Sequence, residues 1–87
     1  MTAMEFATEE ELAQAVIDAC GELDAEGRES LDMFWGWADW DLAAFEALES
    51  AWRAGRTFPR ELMEVAQLNW GLNWSKSMTK KFEPMLV

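Results

Sequence analysis

The 87-residue chain contains no histidine and a single cysteine, Cys20. The first absence removes the usual Cys/His zinc sites and the commonest general base. The second excludes an intramolecular disulfide, because one thiol has no partner within the chain. Proline and glycine are scarce, at two and five residues, and no low-complexity linker interrupts the sequence. No window approaches the ~18 apolar residues of a membrane-spanning helix. The opening MTAMEFATEEEL lacks the basic start and continuous apolar run of an export leader. Together with the lone thiol, this sets the expectation of a cytoplasmic, intracellular protein. A glycine-rich phosphate loop is missing, and so are the alternating patterns of a sheet. Basic residues are missing most unevenly: residues 1–50 hold fourteen acids and one base, Arg28, whereas residues 51–87 hold three acids and six bases.

What the chain has in abundance is bulk and negative charge. Six Trp and five Phe sit in a single domain, residues 1–87, of a size that buries only about 60–65% of its unfolded surface. A core that small needs a disulfide, a metal, oligomerisation or unusually large side chains. Each aromatic ring buries ~150–250 Å², so most of the rings are expected in the core. The net charge of −10 divides into −13 for residues 1–50 and +3 for residues 51–87. Such asymmetry points to an electrostatic partner. A phosphate backbone would be repelled by the dominant half, which excludes direct nucleic-acid binding and favours a basic protein surface.

The apolar spacing predicts an all-α bundle of three to four short helices. Thr8 followed by Glu9, Glu10 and Glu11 is a capping box, with the Glu11 carboxylate expected to return to the Thr8 amide. Leu12, Val16, Ala19, Cys20 and Leu23 then form an amphipathic stripe that Gly21 ends or interrupts. DAEGRES at 24–30 reads as a polar connection, with Asp24 or Ser30 capping a second helix over about 29–38. Gly36 is expected to break that helix, and Asp39 or Asp41 to cap a third. In the third helix Leu42, Phe45, Leu48 and Trp52 make one stripe. Ala43, Ala44, Ala47 and Ala51 allow close approach, and Gly55 is placed as its left-handed stop. Pro59 opens a fourth helix, apolar around much of its circumference (Leu62, Val65, Ala66, Asn69 and Leu72; Met63, Gln67, Trp70 and Trp74) and expected to be central. Residues 75–87 read as a basic tail or short docking segment, with Pro84 blocking a further helix.

Two constellations carry functional expectations. Trp35 and Trp37 lie about 200° apart on a helix, so both cannot face one core, and Trp37 or Trp40 is expected as an exposed anchor. Glu11, Asp18 and Glu22 follow one flank of the first helix, and Asp24, Glu26, Glu29 and Asp32 continue the series. A charge run is ordinarily a solvated face that keeps a hydrophobic protein soluble. Here like charges accumulate with almost no interspersed cations, at a cost in stability that a functional field would justify. Asp24, Glu26 and Glu29 lack the twelve-residue pattern of a calcium loop, and Arg28 repels a cation, so no metal is expected. Cys20 lies on an apolar face where a thiol is inert, and the Asp39/Asp41 pair reads as a cap. Neither an enzyme nor a cofactor is expected.

In general composition the chain resembles the small acidic helical inhibitors that phages and mobile elements use against nucleic-acid-binding host defences, anti-CRISPR and DNA-mimic proteins among them. The resemblance implies an inhibitor occupying a basic, nucleic-acid-binding surface of a partner protein. Its partner-binding residues would be Glu11, Asp18, Glu22, Asp24, Glu26, Glu29, Asp32, Trp37 and Trp40. Two alternatives stand beside it: an assembly protein forming homo-oligomers through aromatic faces, and an immunity or antitoxin protein. Lys76, Lys80 and Lys81 either compensate charge within the molecule or pair with the acidic face of a second copy in a homodimer.

Overall fold

At the start of the first helix the Thr8 hydroxyl accepts from the Glu11 amide at 3.1 Å, while the Glu11 carboxylate accepts from the Ala7 amide at 3.0 Å. The capping box is thus present with its return bond one residue earlier than expected. The computed structural model describes residues 5–87; residues 1–4 of the opening stretch weighed above lie outside them. Among the described residues the chain is a small all-α domain. Helix α1 spans Glu9–Cys20, α2 Ala25–Gly36, α3 Trp40–Arg53 and α4 Arg60–Trp70; 3-10 segments follow at Gly71–Trp74 and Lys80–Met85.

Helix α2 begins four residues earlier than the sequence predicts, because Asp24 rather than Ser30 is the cap. Its carboxylate accepts from the Gly27 amide at 2.7 Å. DAEGRES is therefore mostly the first turns of a helix, not a connection. Gly27 is buried there, and a Cβ at this position would lie 2.8 Å from Ser50 Cβ. A glycine inside a helix costs up to ~1 kcal/mol relative to alanine. Here it lets α2 approach α3 closely enough for the Asp24 amide to donate to Ser50 Oγ at 2.9 Å.

Helix α3, not α4, is central: α1 and α2 both pack along it. Ala43, Ala44, Ala47 and Ala51 are completely buried on its inner side, and their small size permits two neighbours at short range. The flank carrying Phe45 and Trp52 receives the C-terminal part of the chain, where Phe45 meets Trp74 and Phe82 edge-on, each with centroids 5.5 Å apart.

Helices α2 and α3 end in the same motif. After α3, the Gly55 amide donates to Trp52 O at 3.1 Å and the Arg56 amide to Ala51 O at 3.0 Å, with Gly55 at φ +71°. After α2, Ala38 donates to Trp35 O and Asp39 to Phe34 O, both at 3.0 Å, with Ala38 at φ +58°. Both are Schellman caps. Gly36 ends α2, as its sequence position implied, but the left-handed residue of the turn is an alanine two positions on. Asp39 occupies the N-cap position of α3 without a side-chain bond. Asp41 instead holds the LNW turn: its carboxylate accepts from Asn73 Nδ2 at 2.7 Å and its carbonyl from Trp74 Nε1 at 3.0 Å.

Residues 75–87 are not a loose tail but pack into the molecule. Phe82 is fully buried, Met85 and Thr79 nearly so, and Pro84 sits inside the second 3-10 segment. The segment is fastened by backbone pairing to residues 58–60. Phe58 N–H donates to Met85 O at 2.8 Å, Val87 N–H to Phe58 O at 3.0 Å and Arg60 N–H to Val87 O at 3.0 Å. The last of these satisfies one of the amides that a helix N-terminus leaves unpaired, in place of a side-chain cap at Pro59.

Candidate functional site: the outer face of α2

Five of the seven cations are held within the molecule. Arg53 grips the Asp24 carboxylate with two bonds, Nε to Oδ2 at 2.9 Å and Nη2 to Oδ1 at 3.0 Å. Arg60 pairs with Glu83 at 2.8 Å, Lys81 with Glu49 at 3.0 Å and Arg28 with Asp32 at 3.7 Å. Arg56 donates to the carbonyls of Cys20 and Glu22, placing a cation at the negative end of the α1 dipole. Lys81 Nζ also lies 4.8 Å from the centre of the half-exposed Trp52 ring. Among the described residues, Lys76 and Lys80 alone of the cations meet no acidic or carbonyl oxygen.

The acids singled out from sequence separate into those spent on the fold and those left outward. Glu11 is occupied as a cap. Asp18 accepts from Gln14 on the exposed side of α1 at 2.9 Å. Asp24 is committed to the fold: Arg53, and after it the Gly27 amide, hold its carboxyl at about 2. Asp32 and Arg28 line the groove between α1 and α2 with Gln14, Ile17, Leu31 and Trp35. By contrast, Glu22, Glu26 and Glu29 are exposed and, among the described residues, have no ion-pair partner.

Glu26 and Glu29 share a helical face with Met33 and Trp37, because spacings of three and four residues align side chains on one side of a helix. Leu31, Phe34 and Trp35 take the opposite side, toward α3. Trp37 is 66% exposed and Met33 45% exposed, and Trp37 leans edge-on against Phe34 with centroids 6.1 Å apart. Trp40 is not exposed in this way: its ring packs on Trp35 with centroids 4.7 Å apart. Of the two rings the sequence offered as anchors, Trp37 is the outward one.

The structure adds two acids that the sequence reading passed over. Glu46 and Glu49 lie on α3 beside the start of α2. Burial, then the charges of Glu49 and Glu26, raises the Glu46 carboxyl above its ordinary value, against the opposing pull of Arg53 and Lys81. Their spacing to Arg53, at i, i+3 and i+7 opposite the alanine stripe, was the available signal. The negative field at the start of α2 is therefore built from two helices.

Cys20 is buried, and burial pushes its thiol up to about 12 although Arg56 pulls the other way. Among the described residues no group of three or more acids and thiols is placed to hold a metal ion, and no helix is long and apolar enough to cross a membrane. No protein-family model, curated protein or solved structure matches the chain, so the geometry alone carries the functional reading.

Proposed function

We propose that this protein is a non-enzymatic binding protein that occupies a basic, nucleic-acid-binding surface of a partner protein. The observation that carries the reading is the outer face of α2, with Glu22 just before it. Three carboxylates without a cation partner among the described residues precede an exposed apolar pair, Met33 and Trp37. Unpaired acids on a rigid helix supply long-range steering toward a cationic groove. A tryptophan at the end of the same face supplies the desolvated anchor that interface energetics require. The Asp24–Arg53 and Asp24–Ser50 bonds hold the start of α2 in place, so docking immobilises little that is not already ordered.

The test compares the native chain with Glu22→Lys/Glu26→Lys/Glu29→Lys as bait for nucleic-acid-binding proteins, followed by gel-shift competition with the captured protein. The native chain should capture a basic protein in a salt-sensitive manner and displace its nucleic acid. The triple variant should lose both properties, and Trp37→Ala should weaken capture without changing its salt dependence. Capture unaffected by the triple reversal would overturn the proposal.

A further inference from the structure

Among the described residues, the two cations without an intrachain partner lie beside the two most exposed large apolar side chains. Leu68 in the last turns of α4 and Leu72 in the following 3-10 segment are each 87% exposed. A stripe predicted to lie inside the core thus turns outward at Leu72, because Gly71, at φ +56°, ends α4 and redirects the chain. Leu68, Leu72 and Lys76 line one shallow groove of about 620 Å³, and Lys76 and Lys80 line a neighbouring one; Glu64 and Gln67 are common to both. The result is an apolar pair flanked by two ammonium groups and one carboxylate, Glu64, so the patch keeps a net positive charge. Its net sign is opposite to that of the outer face of α2, where the apolar pair Met33 and Trp37 follows two carboxylates, Glu26 and Glu29.

We infer that these faces are mutually complementary surfaces through which two copies of this chain associate. The Leu68/Leu72/Lys76/Lys80 face of each copy meets the Glu26/Glu29/Met33/Trp37 face of the other. Every copy carries both faces, so the association inferred is a two-fold pair in which the contact is formed twice, rather than an open head-to-tail chain. A stable interface of standard size takes about 800 Å² from each partner, roughly 15% of the molecular surface of 5378 Å², and the two faces together offer eight outward side chains toward it. Charge complementarity selects a second copy as the occupant, since the chain itself presents both the apolar-acidic and the apolar-basic surface. The dimer would cover α2, so self-association competes with docking on a basic partner. The inference uses the same α2 face but does not require the proposed function, and its basic half lies outside that face.

Light scattering and sedimentation on the purified chain test it, at about 0.05 M and about 1 M salt. At sub-millimolar concentration and low salt the mass should be twice that of one chain, shifting toward one chain at high salt. Lys76→Glu/Lys80→Glu and Glu26→Lys/Glu29→Lys should each be monomeric, with helical content unchanged by circular dichroism. Mixing those two variants in equal amounts should restore the doubled mass, because each reversed face then meets its opposite. Leu68→Ser/Leu72→Ser, at positions too exposed to disturb the core, should also give monomers. A native chain of single mass at low salt overturns the inference, as does a doubled mass that survives the leucine or charge substitutions. If Lys76→Glu/Lys80→Glu is monomeric yet still captures a basic partner, both proposals stand. If the native chain is monomeric and still captures one, only the dimer falls.

Discussion

Where the first turns of α2 cross α3, the contact is made by small side chains, Gly27 against Ser50 beside the fully buried alanines of α3, and a ring pair, Trp35 on Trp40, closes only the far end. Where the C-terminal segment crosses the same helix, the contact is made by rings: Phe45, Trp52, Trp74 and Phe82 edge-on to one another. Both arrangements exclude water from a small core, but they leave different surfaces behind. Backbone-close packing needs few large apolar groups, so the outer faces of α1 and α2 are free to carry charge. Ring packing consumes large apolar groups and anchors a segment that has no long helix of its own. The acidic face therefore stands on the tight half of the molecule, and the basic one on the half held by aromatics.

The largest test of that contrast is Phe82→Ala. A tail would tolerate the change, whereas a fully buried ring loses about 3–5 kcal/mol on truncation to alanine. Chemical denaturation followed by tryptophan fluorescence should show a loss of that size. A loss below about 1 kcal/mol would return residues 75–87 to the status of an appendage.

A subtler test sets the two Schellman caps against each other. Gly55→Ala places a Cβ in left-handed backbone with no atom nearby to clash, so the cost is conformational, about 1 kcal/mol. Ala38→Gly relieves the same strain and should stabilise by about 0.5–1 kcal/mol after the added freedom of the unfolded chain is counted. Opposite signs in thermal melts would show that the turn joining α2 to α3 stores strain that its counterpart after α3 does not.

The smallest effect is expected from pH. Asp24 has a folded-state value near 2 against an ordinary 3.8. A depressed carboxyl contributes stability that is fully present above its ordinary value and is lost as pH falls through the folded one. The melting temperature should therefore fall between about pH 4 and pH 2 partly through this group. Asp24→Asn, which keeps a good N-cap but removes the charge paired with Arg53, should flatten that part of the curve. An unchanged acid limb would show that the Asp24–Arg53 pair is a surface contact without consequence.

Local chemistry explains which parts of this fold were legible in the sequence. The start of α1 was, because Thr8 and Glu11 act within one turn, and so was the stop at Gly55. The start of α2 was displaced because DAEGRES is polar throughout, and the close approach that seats Gly27 against Ser50 joins residues 23 positions apart. The docking of residues 75–87 was only one of two options, since it rests on Phe58–Met85 and Arg60–Val87 backbone bonds that no local periodicity encodes. Alanine in a left-handed turn leaves no compositional trace, so Gly36 marks the end of α2 in the sequence while Ala38 makes the turn. Among the candidate site residues, Glu26 and Glu29 stood in the acidic run and Trp37 was one of two rings offered; that they share one face with Met33 follows only from the early start of α2. The commitment of Asp24 to Arg53 and the packing of Trp40 on Trp35 were not recognisable, because both depend on how α2 and α3 meet.

Cys20, closed in beneath the carbonyls that Arg56 bridges, gives the molecule a built-in clock. A thiol held mostly protonated under the last turn of α1 reacts with an alkylating reagent only in the moments when that turn lifts. The labelling rate then counts those excursions at one address, without isotopes or an added probe. At high reagent concentration it reads how often the lid of α1 opens, and at low concentration how large a fraction of the time it stays open.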